Sequence, residues 1–162
     1  MYRYLFTLLY AISAVAIGSD GSISKVNSSI TIEAGQHAGD VSTVNGSIRI
    51  GRRAQAQSVE TVNGSVTLEE DAVVGGGVEA VNGKLTLQRG VRVDGRLENV
   101  NGGLVLEGAA VRGGIGTVNG DIRIGTGSRV DGGIVVDKPS GWGWGKSERL
   151  PRVIIESGAI VN

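Results

Sequence analysis

The chain has 162 residues, with sixteen Lys and Arg balanced by sixteen Asp and Glu, 28 glycines, two prolines, no cysteine and 4% aromatic residues. That balance leaves no basic footprint for nucleic acid, and the absence of cysteine excludes disulfides, thiolate metal sites and a lipid-modified N-terminal cysteine. Glycine lacks the triplet period of collagen and a hydrophobic content of 40% is too high for a disordered chain, so the length fits one domain or one solenoid array.

The first element, "MYRYLFTLLYAISAVAIGSDGS", has the form of an export signal. Arg3 supplies a positive start, Leu5 to Ile17 is mostly apolar, and Ala14-Val15-Ala16 fits a small-x-small cleavage site. The apolar run is short for a membrane span, which takes about 20 residues. Two readings follow for residues 1–19: a cleaved signal, or a retained N-terminal anchor and the one route to a membrane.

From residue 25 onward one phrase returns. "KVNSSITI" at 25 is followed by "TVNGSIRI" at 43, "TVNGSVTL" at 61, "AVNGKLTL" at 80, "NVNGGLVL" at 99 and "TVNGDIRI" at 117. The Val-Asn valines are spaced by 18, 18, 19, 19 and 18 residues. Such self-similarity marks a solenoid, and Val, Gly, Asn and Thr are poor helix formers. Stacked copies give columns. Ile30, Ile48, Val66, Leu85, Leu104 and Ile122 form one, and Ile32, Ile50, Leu68, Leu87, Leu106 and Ile124 another. Thr31, Arg49, Thr67, Thr86, Val105 and Arg123 lie between them. Apolar, polar, apolar is the signature of a strand with one buried face. A second face runs through Ala54/Ala56, Ala72/Val74, Val91/Val93, Ala109/Val111 and Ser128/Val130. A third is marked by Ile23, Val41, Val59, Val78, Leu97, Ile115 and Ile134. The prediction for residues 20–162 is all-β: a single-stranded parallel β-helix of about seven three-faced coils, right-handed, filled with aliphatic residues.

In this scheme Val-Asn-Gly is a corner. Glycine is expected to supply a positive φ there. The valine is expected to tie the corner to the core. With coils about 4.8 Å apart, Asn27, Asn45, Asn63, Asn82, Asn101 and Asn119 form an asparagine ladder whose amides point inward. The sequons at Asn27, Asn45 and Asn63 are then coincidental.

The last coil is interrupted at 137–152 by "DKPSGWGWGKSERLPR", after which Val153 aligns with Ile122, Ile155 with Ile124 and Val161 with Val130. Trp142 and Trp144 in this loop are the candidate ligand or partner contacts. They form either an exposed sugar-binding tip or a flap folded back over apolar surface.

Catalytic chemistry is thin. His37 is the single histidine, so no His-based triad or His-rich metal site can form. No Rossmann or phosphate-loop pattern occurs. "GGIGTVNGD" at 113–121 shares its glycines with the calcium nonapeptide repeat but has Val118 where that repeat needs Asp. Glu60, Glu79 and Glu98 share an outward column, read as a solvated face rather than a cation site. Arg52, Glu70 and Arg89 read as a surface charge ladder. No cofactor is expected.

"VNGSIRI", "VNGSVTL" and "VNGDIRI" at this spacing resemble the adhesin-type β-helix repeat domain of bacterial envelope proteins. "GSRVDGGIVV" at 127–136 and "VIIESGAIV" at 153–161 are similar to coils of bactofilins, the polymer-forming cytoskeletal family. The resemblance covers about residues 23–162 and implies a β-helix without catalytic residues; the bactofilin likeness implies end-to-end assembly. The expectation is a non-enzymatic, exported envelope scaffold or adhesion module, periplasmic, cell-envelope or secreted, with itself as first partner and envelope polysaccharide as second. The competing class is a carbohydrate-binding or polysaccharide-active β-helix protein using the tryptophan loop.

Overall fold

A computed structural model describes residues 21–137 and 151–162. The signal or anchor at residues 1–19 lies outside the described residues, as does the loop core with Trp142 and Trp144. The described residues contain strands and turns but no helix, and every strand pair is parallel. Three sheets form the walls of a β-solenoid of about six turns. The first sheet stacks seven strands, from Ile23–Lys25 through Asp40–Asn45, Ser58–Asn63, Val78–Asn82, Leu97–Asn101 and Ile115–Asn119 to Ile134–Val136. The second runs from Ile30–Ile32 through Ile48–Ile50, Val66–Leu68, Leu85–Leu87, Leu104–Leu106 and Ile122–Ile124 to Val153–Ile155. The third contains Gln55–Ala56, Val73–Val74, Arg92–Val93, Ala110–Val111, Arg129–Val130 and Ile160–Val161, with His37 bridging to Gln55.

Each residue pairs with its counterpart one repeat later, as Leu85 does with Val66 and with Leu104. The interior is therefore made of like residues stacked on like. Val59, Val78, Leu97, Ile115, Leu68, Leu87, Leu106 and Val93 are fully buried. Walls only two to six residues long leave a cross-section that aliphatic side chains fill, at about 1.5–3 kcal/mol each. The register resumes after the insertion at the expected residues: Val153 pairs with Ile122, Ile155 with Ile124 and Val161 with Val130.

Two expectations about the corner are corrected. The strand continues through it, so alternation from buried Val41 puts Thr43 inside and leaves Val44 half-exposed. The same alternation buries Thr61, Ala80, Asn99 and Thr117, while Val62, Val81, Val100 and Val118 face outward. The corner is held from within by polar side chains: the Thr43 hydroxyl donates to Ser28 O at 2.9 Å, Thr61 to Gly46 O at 3.0 Å, and the Asn99 amide to Gly83 O at 2.9 Å.

The second correction concerns glycine. Of the Val-Asn-Gly glycines, only Gly102 has a positive φ, at +140°. Glycine stands at these corners because the coils touch there. A Cβ on Gly46 would meet Ser28 O at 2.3 Å, on Gly64 the Gly46 O at 2.0 Å, and on Gly83 the Gly64 O at 1.9 Å. Left-handed backbone occurs instead at the corner between the second and third sheets, at Gly35, Arg53, Asp71, Gly90, Gly108, Gly127 and Gly158, and before first-sheet strands at Gly21, Gly114 and Gly133.

That second corner has one irregular turn. Three residues fill it at 51–53, 69–71, 88–90 and 125–127, but only Glu107 and Gly108 join Leu106 to Ala109. A regular turn closes on itself: Ala72 N donates to Glu69 O and Val91 N to Gln88 O. At the short turn Ser128, one coil on, supplies the missing acceptor, its hydroxyl oxygen receiving Gly108 N at 2.9 Å and Ala109 N at 3.3 Å.

Candidate functional site

The asparagine column is a continuous ladder. Asn45 donates to Asn27, Asn63 to Asn45, Asn82 to Asn63, Asn101 to Asn82 and Asn119 to Asn101, at 2.8, 2.8, 2.9, 2.9 and 3.1 Å. Its position is the opposite of the expected one: the six asparagines are exposed. Alternation ends at the corner, and the side chain next to the bend turns outward. The sequons at Asn27, Asn45 and Asn63 are therefore on the surface. In Asn45 and Asn63 the nitrogen that a glycan would take is donating to the ladder.

The ladder borders the outer face of the first sheet. Glu60, Glu79 and Glu98 pair in register there, beside the half-buried column of Val62, Val81 and Val100. Stacked valines take water away from the carboxylates. Burial pushes the Glu79 carboxyl up to about 7, helped by the charges of Glu60 and Glu98. Glu60 is also raised, by burial first and Asp40 second. Glu98 forms an ion pair with Arg96 at 3.3 Å. Among the described residues no group of His, Asp and Glu is placed to hold a metal ion.

Beside the short turn lies a polar groove of about 630 Å³, bordered by Arg52, Glu70, Arg89, Glu107, Arg123 and Glu156. Arg52 pairs with Glu70 at 3.3 Å and Arg123 with Glu156 at 2.6 Å. The Arg52–Glu70 rung of the expected charge ladder is present. The Arg89 stem lies beside Gly108, its Cγ 3.5 Å from where a Cβ would stand.

A further site was not legible as one. The last described coil carries Val136, Val153, Ile155 and Ile160 at 41–50% exposure. Val153 and Ile155 occupy the positions at which Ile122 and Ile124 are fully buried. At the opposite end the corresponding side chains, Ile30 and Ile32, are already buried at 2% and 3%. Among the described residues the exposed interior-column side chains are therefore those of the last coil. Candidate contacts Trp142 and Trp144 lie outside the described residues. No protein-family model matches the chain, and no curated protein or solved structure matches it either.

Proposed function

We propose that this chain is a non-enzymatic, exported structural protein, an envelope scaffold or surface-adhesion module that pairs with a second copy through its last coil. One observation carries the reading: interior positions Val153 and Ile155 are exposed at 41% and 50%, at the end of a stack in which every earlier counterpart is covered. A second coil set against them would bury these side chains and satisfy strand edge groups together. Because the exposed interior-column side chains among the described residues sit on the last coil, the proposed contact is isologous, and an isologous contact stops at a dimer. The likeness to adhesin-type and bactofilin β-helices supports a structural role on sequence pattern alone.

The competing reading, a carbohydrate-binding or polysaccharide-active protein, rests on Trp142 and Trp144. The described lining of the polar groove has no aromatic ring to stack on a sugar. Light scattering across a concentration series tests the proposal. The expected species is a dimer, and Ile155→Lys, at an exposed position, shifts it to monomer. A monomer at high micromolar concentration in the unaltered chain would rule out self-association and return the choice to adhesion or ligand binding through the side walls.

A further inference from the structure

Five of the six ladder asparagines are followed by glycine, the pairing in which backbone nitrogen can attack the side-chain amide, because no Cβ shields it. Whether it does depends on what holds that nitrogen. At Asn45, Asn63 and Asn82 the following glycine N–H donates to the asparagine carbonyl of the next coil, at 3.0, 2.9 and 3.0 Å. At Gly102 and Gly120 it meets no backbone acceptor among the described residues. Gly120 is buried, and a buried N–H without a partner is rare in a folded protein.

The same corner holds two more unpaired polar atoms, Asn99 Oδ1 and Thr117 Oγ1, both on residues only 2% exposed. The cause is local. Asn99 stands where Thr43 and Thr61 stand in earlier coils, and its longer amide occupies the corner next to Gly102. Gly102 is the one glycine of this column with its backbone turned to φ +140°. Thr117 is left without the carbonyl bond that Thr43 and Thr61 make. The side-chain rung also weakens here: Asn119 makes the longest ladder bond, at 3.1 Å, and its Oδ1 receives no rung from above among the described residues.

We infer that Asn101–Gly102 and Asn119–Gly120 form a self-modification site, at which the chain loses side-chain amide as ammonia, while the three earlier Asn-Gly steps are protected by the fold. The glycine nitrogen gives its proton to hydroxide and attacks the asparagine Cγ. The N–Cγ bond forms, the Cγ–Nδ2 bond breaks, and ammonia leaves with a proton from water. Water then opens the five-membered succinimide at either carbonyl, giving aspartate or isoaspartate. No electrons are exchanged. Conversion at Asn119 removes the donor to Asn101 Oδ1, so loss proceeds inward along the ladder from this end.

The test is peptide mapping by mass spectrometry of the full chain held at mildly alkaline pH, following amide-to-acid conversion at each Asn-Gly step. A parallel sample in urea removes the fold. Losing one hydrogen bond is worth about 1 kcal/mol, so Asn101 and Asn119 should convert at least about fivefold faster than Asn45, Asn63 and Asn82 when folded. The five steps should lie close together in urea. Asn99→Thr, which restores the residue of the earlier coils, should slow Asn101 toward the rate of Asn82. Uniform folded rates, or faster conversion at the three inner steps, would overturn the inference. So would an Asn101 rate unmoved by Asn99→Thr.

Discussion

Glu79 makes this solenoid less stable as the solution becomes less acidic. It sits between Glu60 and Glu98 in paired strands, and strand spacing puts the carboxylates about 5 Å apart. Two like charges at ~5 Å repel by about 0.8 kcal/mol in bulk water and about 3 kcal/mol at an effective permittivity of ~20. Burial acts in the same direction and is the larger cause, and together they hold the carboxyl at about 7, against 4.5 in the free side chain. At about 1.36 kcal/mol per tenfold change in proton affinity this is an upper bound near 3 kcal/mol. Glu79 retains contact with water, and screening reduces the figure to about 1 kcal/mol.

The sign follows from proton counting. Below about pH 4.5 both the folded and unfolded chain hold the proton, and there is no penalty. Between about pH 4.5 and 7 the folded chain keeps a proton that the unfolded chain has released, so this group's contribution falls as pH rises, and the penalty is complete above about 7. Glu79→Gln keeps the shape and removes the titration. Urea midpoints across a pH series should show the variant about 1 kcal/mol more stable than the parent near pH 8 and equal to it near pH 4. A variant no more stable than the parent near pH 8 would refute the argument, as would a stability difference that does not change with pH.

Two other perturbations separate surface ladder from backbone. Asn82→Ala removes rungs to Asn63 and Asn101 and should cost about 1–2 kcal/mol in urea denaturation, against less than about 0.5 kcal/mol for Thr86→Ala on the outer face. Arg53→Gly, at an exposed residue with φ 55°, should stabilise by about 0.5 kcal/mol, read as a raised melting temperature, because the left-handed backbone costs an ordinary residue more than glycine loses in chain entropy.

The walls were legible because they rest on the strongest local signal, aliphatic residues at every second position repeated each 18 or 19 residues. Even Val153 and Ile155, beyond a long insertion, could be placed in register, because "VIIESGAIV" aligns with the coil before it. The corner was misread for a physical reason. Thr43 and Val44 are both good strand residues, and valine looks like the core member. Counting by two from Val41 makes threonine the buried one, its hydroxyl satisfied by a carbonyl from the neighbouring coil. Glycine was misjudged in the same way. Asn-Gly is a local turn signal, but the requirement here is contact between residues 18 or 19 apart, which a local reading does not contain. The exposure of Val153 and Ile155 was hidden because the sequence marks inward positions without saying which of them something covers.

Ser128 shows how one break in the pattern can account for another. It occupies a small buried column otherwise filled by Ala54, Ala72, Val91 and Ala109, and within its own coil a hydroxyl there has no use. Its use is one coil back, where the turn at Glu107-Gly108 is a residue short: Ala109 N lacks the self-closing bond that Ala72 N and Val91 N make, and Gly108 N lacks the next-coil carbonyl that Asp71 N and Gly90 N reach. Ser128 Oγ accepts both. Ser128→Ala matches its neighbours and improves the apolar column, so a hydrophobic count predicts a gain. Two unsatisfied donors, one of them buried, predict a loss of about 1–3 kcal/mol. The deciding variant lengthens the short turn by one glycine after Gly108, restoring the three-residue form. In that background Ser128→Ala should become nearly neutral. If Ser128→Ala costs the same in both backgrounds, the serine serves its own coil, and the link between the short turn and the hydroxyl is wrong.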